Sequence, residues 1–265
     1  MKRSSMLPAF DAWRAFGARL REALRPAADA GDEGDVGTAT LRRMARLDAY
    51  NLWLHRRFEH YLGQRVFEAG AGLGNQTEYF VDRERVIVSD TETHYIAELT
   101  EKFGDRRGVR VASFTFPLSP GARADLLRER LDTVVCLNVL EHIEDDAATL
   151  EDFASILPRG GHLVLLVPAL PALYGSLDEH LRHFRRYEPD GLRALVTAAG
   201  FEVDSLRYLN RLAVPGWWLN SRVLKRRVLP RGQLEIFRLL MPLLKLEERR
   251  APSFGLSLVA LAGRR

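Results

Sequence analysis

Hydrophobic positions along this chain fall into short runs separated by stretches of helical spacing. Residues 65–69, Val86-Ile87-Val88, a weaker stretch near Val111, residues 132–138 and residues 161–168 each have the length and branched or aliphatic content of a buried strand. Phe201 to Leu206 and Leu256 to Leu261 read as a closing pair of strands. Between the runs the spacing predicts helices over residues 75–81, 94–103 and 147–156, and another from Pro189 to a stop at Gly200. A helix from about Thr40 to Tyr61 precedes the first strand, with Tyr50, Trp53, Leu54 and Phe58 available to cover a sheet or a substrate. Strands alternating with helices predict a doubly wound α/β fold, a parallel sheet with helices on both faces.

Residues 1–25 place Phe10, Trp13, Leu20 and Leu24 near one face of an amphipathic helix that Pro26 stops, and residues 27–37 form a small acidic linker. This divides the chain into an N-terminal helix and linker over 1–37 and one domain over 38–265. Between the closing strands lies an insertion at about 207–252, too long and apolar for an unstructured loop, which predicts a helical cap beside the functional pocket.

Composition adds few restrictions. At 265 residues, 46% hydrophobic and 28% charged, the chain can bury one sizeable core. Its sole cysteine, Cys136, lies in a predicted buried strand, so no intramolecular disulfide forms, and it reads as a small core hydrophobe. Asp11, Arg14 and Arg19 interrupt any secretory core, and no run approaches the roughly 20 apolar residues of a membrane span. The expected location is cytoplasmic.

Charge is uneven. The net charge is +4, yet the span from Arg207 to Arg250 holds eleven basic residues against three acidic ones, leaving the remainder net acidic. Arginines mixed with Trp217 and Trp218 fit a cap packed on the body with solvated charges. They also fit peripheral contact with the inner face of an anionic membrane.

The chemistry concentrates in residues 65–76. A strand bearing Glu68 near its end runs into Gly70-Ala71-Gly72-Leu73-Gly74, where missing side chains let the backbone turn tightly and approach a ligand. The dinucleotide fingerprint would place its third glycine where Asn75 stands, and a phosphate loop would end in Gly-Lys-Ser/Thr. Glu68 would repel a pyrophosphate and suits a cationic ligand such as S-adenosylmethionine. Asp90, closing the second strand, occupies the position of a ribose-binding acid.

Four elements in order, Glu68 to Gly74, Asp90, Leu137-Asn138-Val139-Leu140-Glu141-His142 and Leu157-Pro158-Arg159-Gly160-Gly161, resemble the class I S-adenosylmethionine-dependent methyltransferases from about Arg42 to the C-terminus. The resemblance implies a Rossmann-like sheet of seven strands, mostly parallel with an antiparallel C-terminal strand. It also implies S-adenosylmethionine as cofactor, with Glu68, Gly70, Gly72 and Gly74 at the methionine moiety, Asp90 at the ribose, and Asn138 and Val139 against the cofactor. Many relatives hold adenine with an acid or amide after the third strand, where this chain has Ser113-Phe114-Thr115-Phe116.

Acceptor chemistry is assigned to residues 173–187, leaving the C-terminal end of the fifth strand, where open α/β sheets bind ligands. Tyr174, Asp178, His183, Arg186 and Tyr187, with Trp217, resemble a recurrent bacterial pattern among these enzymes. His183 is the candidate general base, oriented by Asp178, with His142 a second candidate. Tyr174, Arg186, Tyr187 and Trp217 are candidate substrate contacts. Glu141, His142, Glu144, Asp145 and Asp146 include metal-ligand types, but acids at a helix start are expected from the helix dipole, and no metal is assigned. Nucleic acid is disfavoured as a target, since no Asp/Asn-Pro-Pro-aromatic motif follows the fourth strand. The expected activity is methyl transfer to a small-molecule, lipid-linked or glycan-linked acceptor, at oxygen. The alternative is a non-catalytic scaffold at a membrane surface.

Overall fold

A computed structural model describes residues 42, 47–228, 240–244, 247 and 251–265. The expected helix over 1–25 and linker over 27–37 lie outside these residues, as does part of the insertion.

Seven strands form one sheet: β1 (Arg65–Ala69), β2 (Arg85–Ser89), β3 (Val109–Ala112), β4 (Thr133–Leu137), β5 (His162–Pro168), β6 (Phe201–Leu209) and β7 (Ser257–Arg264). Their order is β3-β2-β1-β4-β5-β7-β6. Strands β1 to β5 pair in parallel, while β7 runs antiparallel to both neighbours, β5 and β6. The order reverses between β1 and β4, and both functional loops leave the C-terminal ends of strands, the place where such sheets bind ligands.

Alternation along the strands serves two cores. On one face Phe67, Ile87, Val134, Cys136, Leu163 and Leu165 meet Leu150 and Phe153 of a helix below. On the other, Val66, Val88, Val135 and Val164 meet Tyr50, Trp53, Leu54 and Phe58, the aromatic set available from the segment before β1. These four side chains cover the sheet.

The described helices are α1 (Asp48–His55), α2 (Thr93–Phe103), α3 (Pro120–Arg128), α4 (Asp146–Ile156), α5 (Ser176–His180), α6 (Pro189–Ala198) and α7 (Val214–Trp218). Local signals explain two starts. Ser119 caps α3 by accepting from the Ala122 N–H, with Pro120 in the first turn, and Asp145 caps α4 by accepting from the Ala148 N–H at 2.9 Å.

Three expectations change. The segment 75–81 is no α-helix but turns around a 3-10 turn at Thr77–Tyr79. Thr77 is buried there, with its hydroxyl spent on Glu68, and the stretch is too short to repay helix nucleation. The helix expected to reach Tyr61 stops at His55 and gives way to a 3-10 turn, Glu59–Tyr61. Third, β6 runs through Leu209, so the first residues of the expected insertion extend the sheet.

Within the insertion, the π-helical turn Leu219–Val223 packs against residues 174–177, and Trp217 of α7 reaches Asp178. Ser176 Oγ bonds the carbonyls of Ser221 and Arg226 at 3.0 and 2.8 Å, and Arg222 bonds the Tyr174 carbonyl at 3.0 Å. Among the described residues, no helix is long and apolar enough to cross a membrane.

Candidate functional site

After β1, Gly70, Gly72 and Gly74 all take left-handed backbone angles, with φ of 69°, 56° and 73°. At Gly70 the requirement is double, because a Cβ there would also overlap the Val139 isopropyl group. The loop is strapped to the next strand: the Ala71 N–H donates to the Ser89 carbonyl at 2.8 Å, and the Gly72 N–H to Asp90 Oδ2 at 2.9 Å. Asp90 Oδ1 accepts from the N–H groups of Thr91 and Glu92 at 2.8 and 3.1 Å. Because no α-helix follows the loop, its shape and neighbouring acids, not a helix N-terminus, define this end of the site.

Glu68 is buried on β1, and its Oε2 accepts the Thr77 hydroxyl. Burial, opposed by Thr77 and reinforced by the Asp90 charge, pushes its carboxyl up to about 7. Among the described residues neither Glu68 nor Asp90 forms an ion pair with an arginine or lysine. Two adjacent acids around a glycine-shaped turn therefore fit a ligand that carries positive charge. Asn138, exposed at the end of β4, has a left-handed φ of 54°, which asparagine tolerates, and Val139 follows it against Gly70.

The second half of the site forms beyond β5. Residues 169–187 leave the sheet, turn through α5 and return to pair Tyr187 with Ala169. Asp178, fully buried, organises this excursion. It accepts from His183 Nδ1 at 3.0 Å, Arg186 Nε at 2.7 Å, the Gly175 N–H at 3.1 Å and Trp217 Nε1 at 3.4 Å. Burial alone would raise its carboxyl, but His183 and Arg186 hold it below the usual carboxylate range. An ionised carboxylate only accepts, so His183 donates from Nδ1, which leaves Nε2 as the ring nitrogen on the far side from Asp178.

Nε2 of His183 lies 4.0 Å from Oε1 of Glu141, and the His142 ring stands edge-on to His183 with centroids 4.7 Å apart. Glu141 is 1% exposed, and its Oε2 has no hydrogen-bond partner among the described residues. Burial pushes its carboxyl up to about 8, with Arg186 opposing and Asp178 adding. The Glu141 carbonyl also accepts the Phe184 N–H at 2.8 Å, tying the turn after β4 to the excursion after β5. The two halves of the site meet here. Val139, against the glycine turn, accepts the His142 N–H at 2.9 Å, so one 3-10 turn, Leu140–His142, separates the loop from the histidines.

The structure thus brings His183, Asp178 and His142 together with Arg186, Trp217 and Tyr174. Arg186 is buried under the Trp217 ring, 4.7 Å from its centroid, and donates to the Ala169 carbonyl at 2.9 Å. Tyr174 donates to the His183 carbonyl at 2.8 Å. Tyr187 points away, bonding Asp146 at 2.9 Å, with burial holding its phenol above the ordinary range. Glu141 is the group that the sequence reading left without a role. Its position directly before His142 was visible, but its burial beside His183 was not.

A family profile described as a methyltransferase domain matches residues 38–206. No curated protein matches the chain by sequence. Among solved structures, an S-adenosylmethionine-dependent methyltransferase from Archaeoglobus fulgidus is 17% identical, with a TM-score of 0.53 over 81% of this chain and 93% of that one. A putative methyltransferase from Bacillus halodurans C-125 is 15% identical, with a TM-score of 0.52 over 82% and 98%. A geranyl diphosphate methyltransferase solved with S-adenosylmethionine is 14% identical, with a TM-score of 0.56 over 90% and 93%. At these identities the likeness is one of fold.

Proposed function

Because the chain belongs to the class I S-adenosylmethionine-dependent methyltransferases, we propose that it moves the methyl group to an oxygen of a small-molecule acceptor. The observation that supports this reading best is the contact of Gly70 with Val139, which sets the glycine turn one 3-10 turn from His142 and His183. When bound, S-adenosylmethionine supplies an electrophilic methyl group on a sulfonium. Gly70, Gly72 and Gly74 make room for it, Glu68 and Asp90 supply the negative charge and the hydroxyl acceptors, and Asn138 and Val139 close the wall at β4. His183 takes the acceptor's proton through Nε2, while Asp178 fixes its ring and Arg186 with Trp217 fixes Asp178. In-line displacement needs little else from the protein besides alignment and exclusion of water, which a cap over residues 174–177 favours.

A lipid-linked acceptor is the narrower version of this reading. Trp218, Val223 and Leu224 are 50%, 51% and 45% exposed beside the exposed Arg222, Lys225 and Arg227, a combination suited to an anionic bilayer surface. Flotation with anionic and neutral vesicles tests it, and equal partition with both would remove the lipid-linked version.

Calorimetric titration with S-adenosylmethionine tests the main reading. Wild-type protein binds, while Gly72→Arg, which fills the turn, does not bind but keeps its far-ultraviolet spectrum. His183→Ala keeps the affinity and loses about a hundredfold or more in turnover. Undiminished binding by Gly72→Arg would displace the cofactor from this loop.

A further inference from the structure

Glu141, His142 and His183 each offer a ligand atom, and these atoms all lie within 4.8 Å of one another. Two ligands of one tetrahedral zinc-like ion, each at about 2.0–2.2 Å, stand about 3.3–3.6 Å apart, so side-chain rotations that draw the atoms together by about 1 Å close the set on a cation. Three further features point the same way. Glu141 is almost fully buried, yet its Oε2 has no hydrogen-bond partner among the described residues, a costly arrangement for an isolated protein oxygen. Asp178 holds His183 by Nδ1 and leaves Nε2 on the Glu141 side, the carboxylate–histidine arrangement that orients metal-bound imidazoles. Arg186 spends its bonds on Asp178 and the Ala169 carbonyl, so the guanidinium does not bond the Glu141 carboxyl.

We propose that Glu141, His142 and His183 bind a divalent cation of the zinc class. Two imidazoles and one carboxylate suit zinc, cobalt or iron(II), whereas magnesium prefers oxygen ligands alone. His142 is exposed, which gives an ion a way in, and a set of three protein ligands leaves coordination positions open. The role of the ion rests on the acceptor site proposed above. One turn from Val139, a bound ion would hold an acceptor oxygen and lower its pKa, the proton passing to solvent on the exposed His142 side, whereas in the metal-free protein Nε2 of His183 takes that proton itself.

Zinc titration by calorimetry, with cobalt(II) absorption as a second readout, tests the site on the full chain. The wild type takes up one ion and shows visible cobalt bands. Glu141→Gln and His142→Ala each bind zinc ~100-fold more weakly and lose those bands. His142→Ala alters an exposed side chain, and both variants are compared with the wild type by metal-free thermal melting. Magnesium leaves the heats and spectra unchanged. No zinc binding by the wild type, or equal affinity in the wild type and both folded variants, overturns the assignment. Titration of the same samples with S-adenosylmethionine reports on the cofactor reading separately, so either reading can fail alone.

Discussion

At Glu68, burial and the neighbouring Asp90 act in the same direction, raising its carboxyl from 4.5 to about 7. Below pH 4.5 the group is protonated in both the folded and unfolded chains, and above 7 it is ionised in both. Between these limits only the folded chain holds the proton, so stability falls as pH rises through this window. A bound cation reverses the preference by favouring the carboxylate. Affinity for S-adenosylmethionine therefore rises between pH 5.5 and 7, by at most about tenfold per unit, and binding there releases a proton. Glu68→Gln removes both the stability slope and the proton release. Calorimetry at several pH values in buffers of different ionisation enthalpy measures this, and a flat wild-type profile would contradict it. The same residue shows what was legible at this scale. That an acid precedes the glycines is plain in the sequence, whereas its bond to Thr77 depends on the 3-10 turn that brings residue 77 back to β1, and its coupling to Asp90 on a β1–β2 pairing that sets Glu68 opposite Val88.

Elements were readable where short-range chemistry decides them. The helix predicted over 147–156 is α4 (Asp146–Ile156), because Asp145 caps it within three residues of chain. Asp145→Ala should cost about 1 kcal/mol in urea denaturation without moving the site. A loss below a few tenths would mean that the cap bond contributes little. Helix α3 went unread, although Ser119-Pro120 is a start signal. The helix over 75–81 failed for the opposite reason: its apolar pattern is real, and Phe80 and Val81 are buried, but Thr77 serves Glu68 instead of a helix. Likewise α5 is only five residues long and is held by Asp178 and Ser221, contacts that no local pattern announces.

For the whole molecule, the two faces of the sheet carry separate cores, and stability rests on both. Phe153 of α4 is fully buried, with its ring 5.3 Å from that of Phe116. Phe153→Ala should lose about 3–5 kcal/mol, read as a lower urea midpoint. A loss under about 1 kcal/mol would mean that this core has room to collapse.

By itself the sequence determined the strand runs, the glycine turn with its two acids and the helix over 147–156, and through the turn and the motifs after it the family and the parallel sheet. Such features depend on residues a few positions apart, where backbone angles and alternation leave few choices. Tertiary structure alone decided which distant groups meet: Trp217 with Asp178 across 39 positions, Glu141 with His183, and Gly70 with Val139. The last of these follows from the parallel pairing of β1 with β4, and the second from the return of residues 169–187 onto the turn after β4. Chain closure over that span obeys packing across the whole domain, which no local pattern encodes.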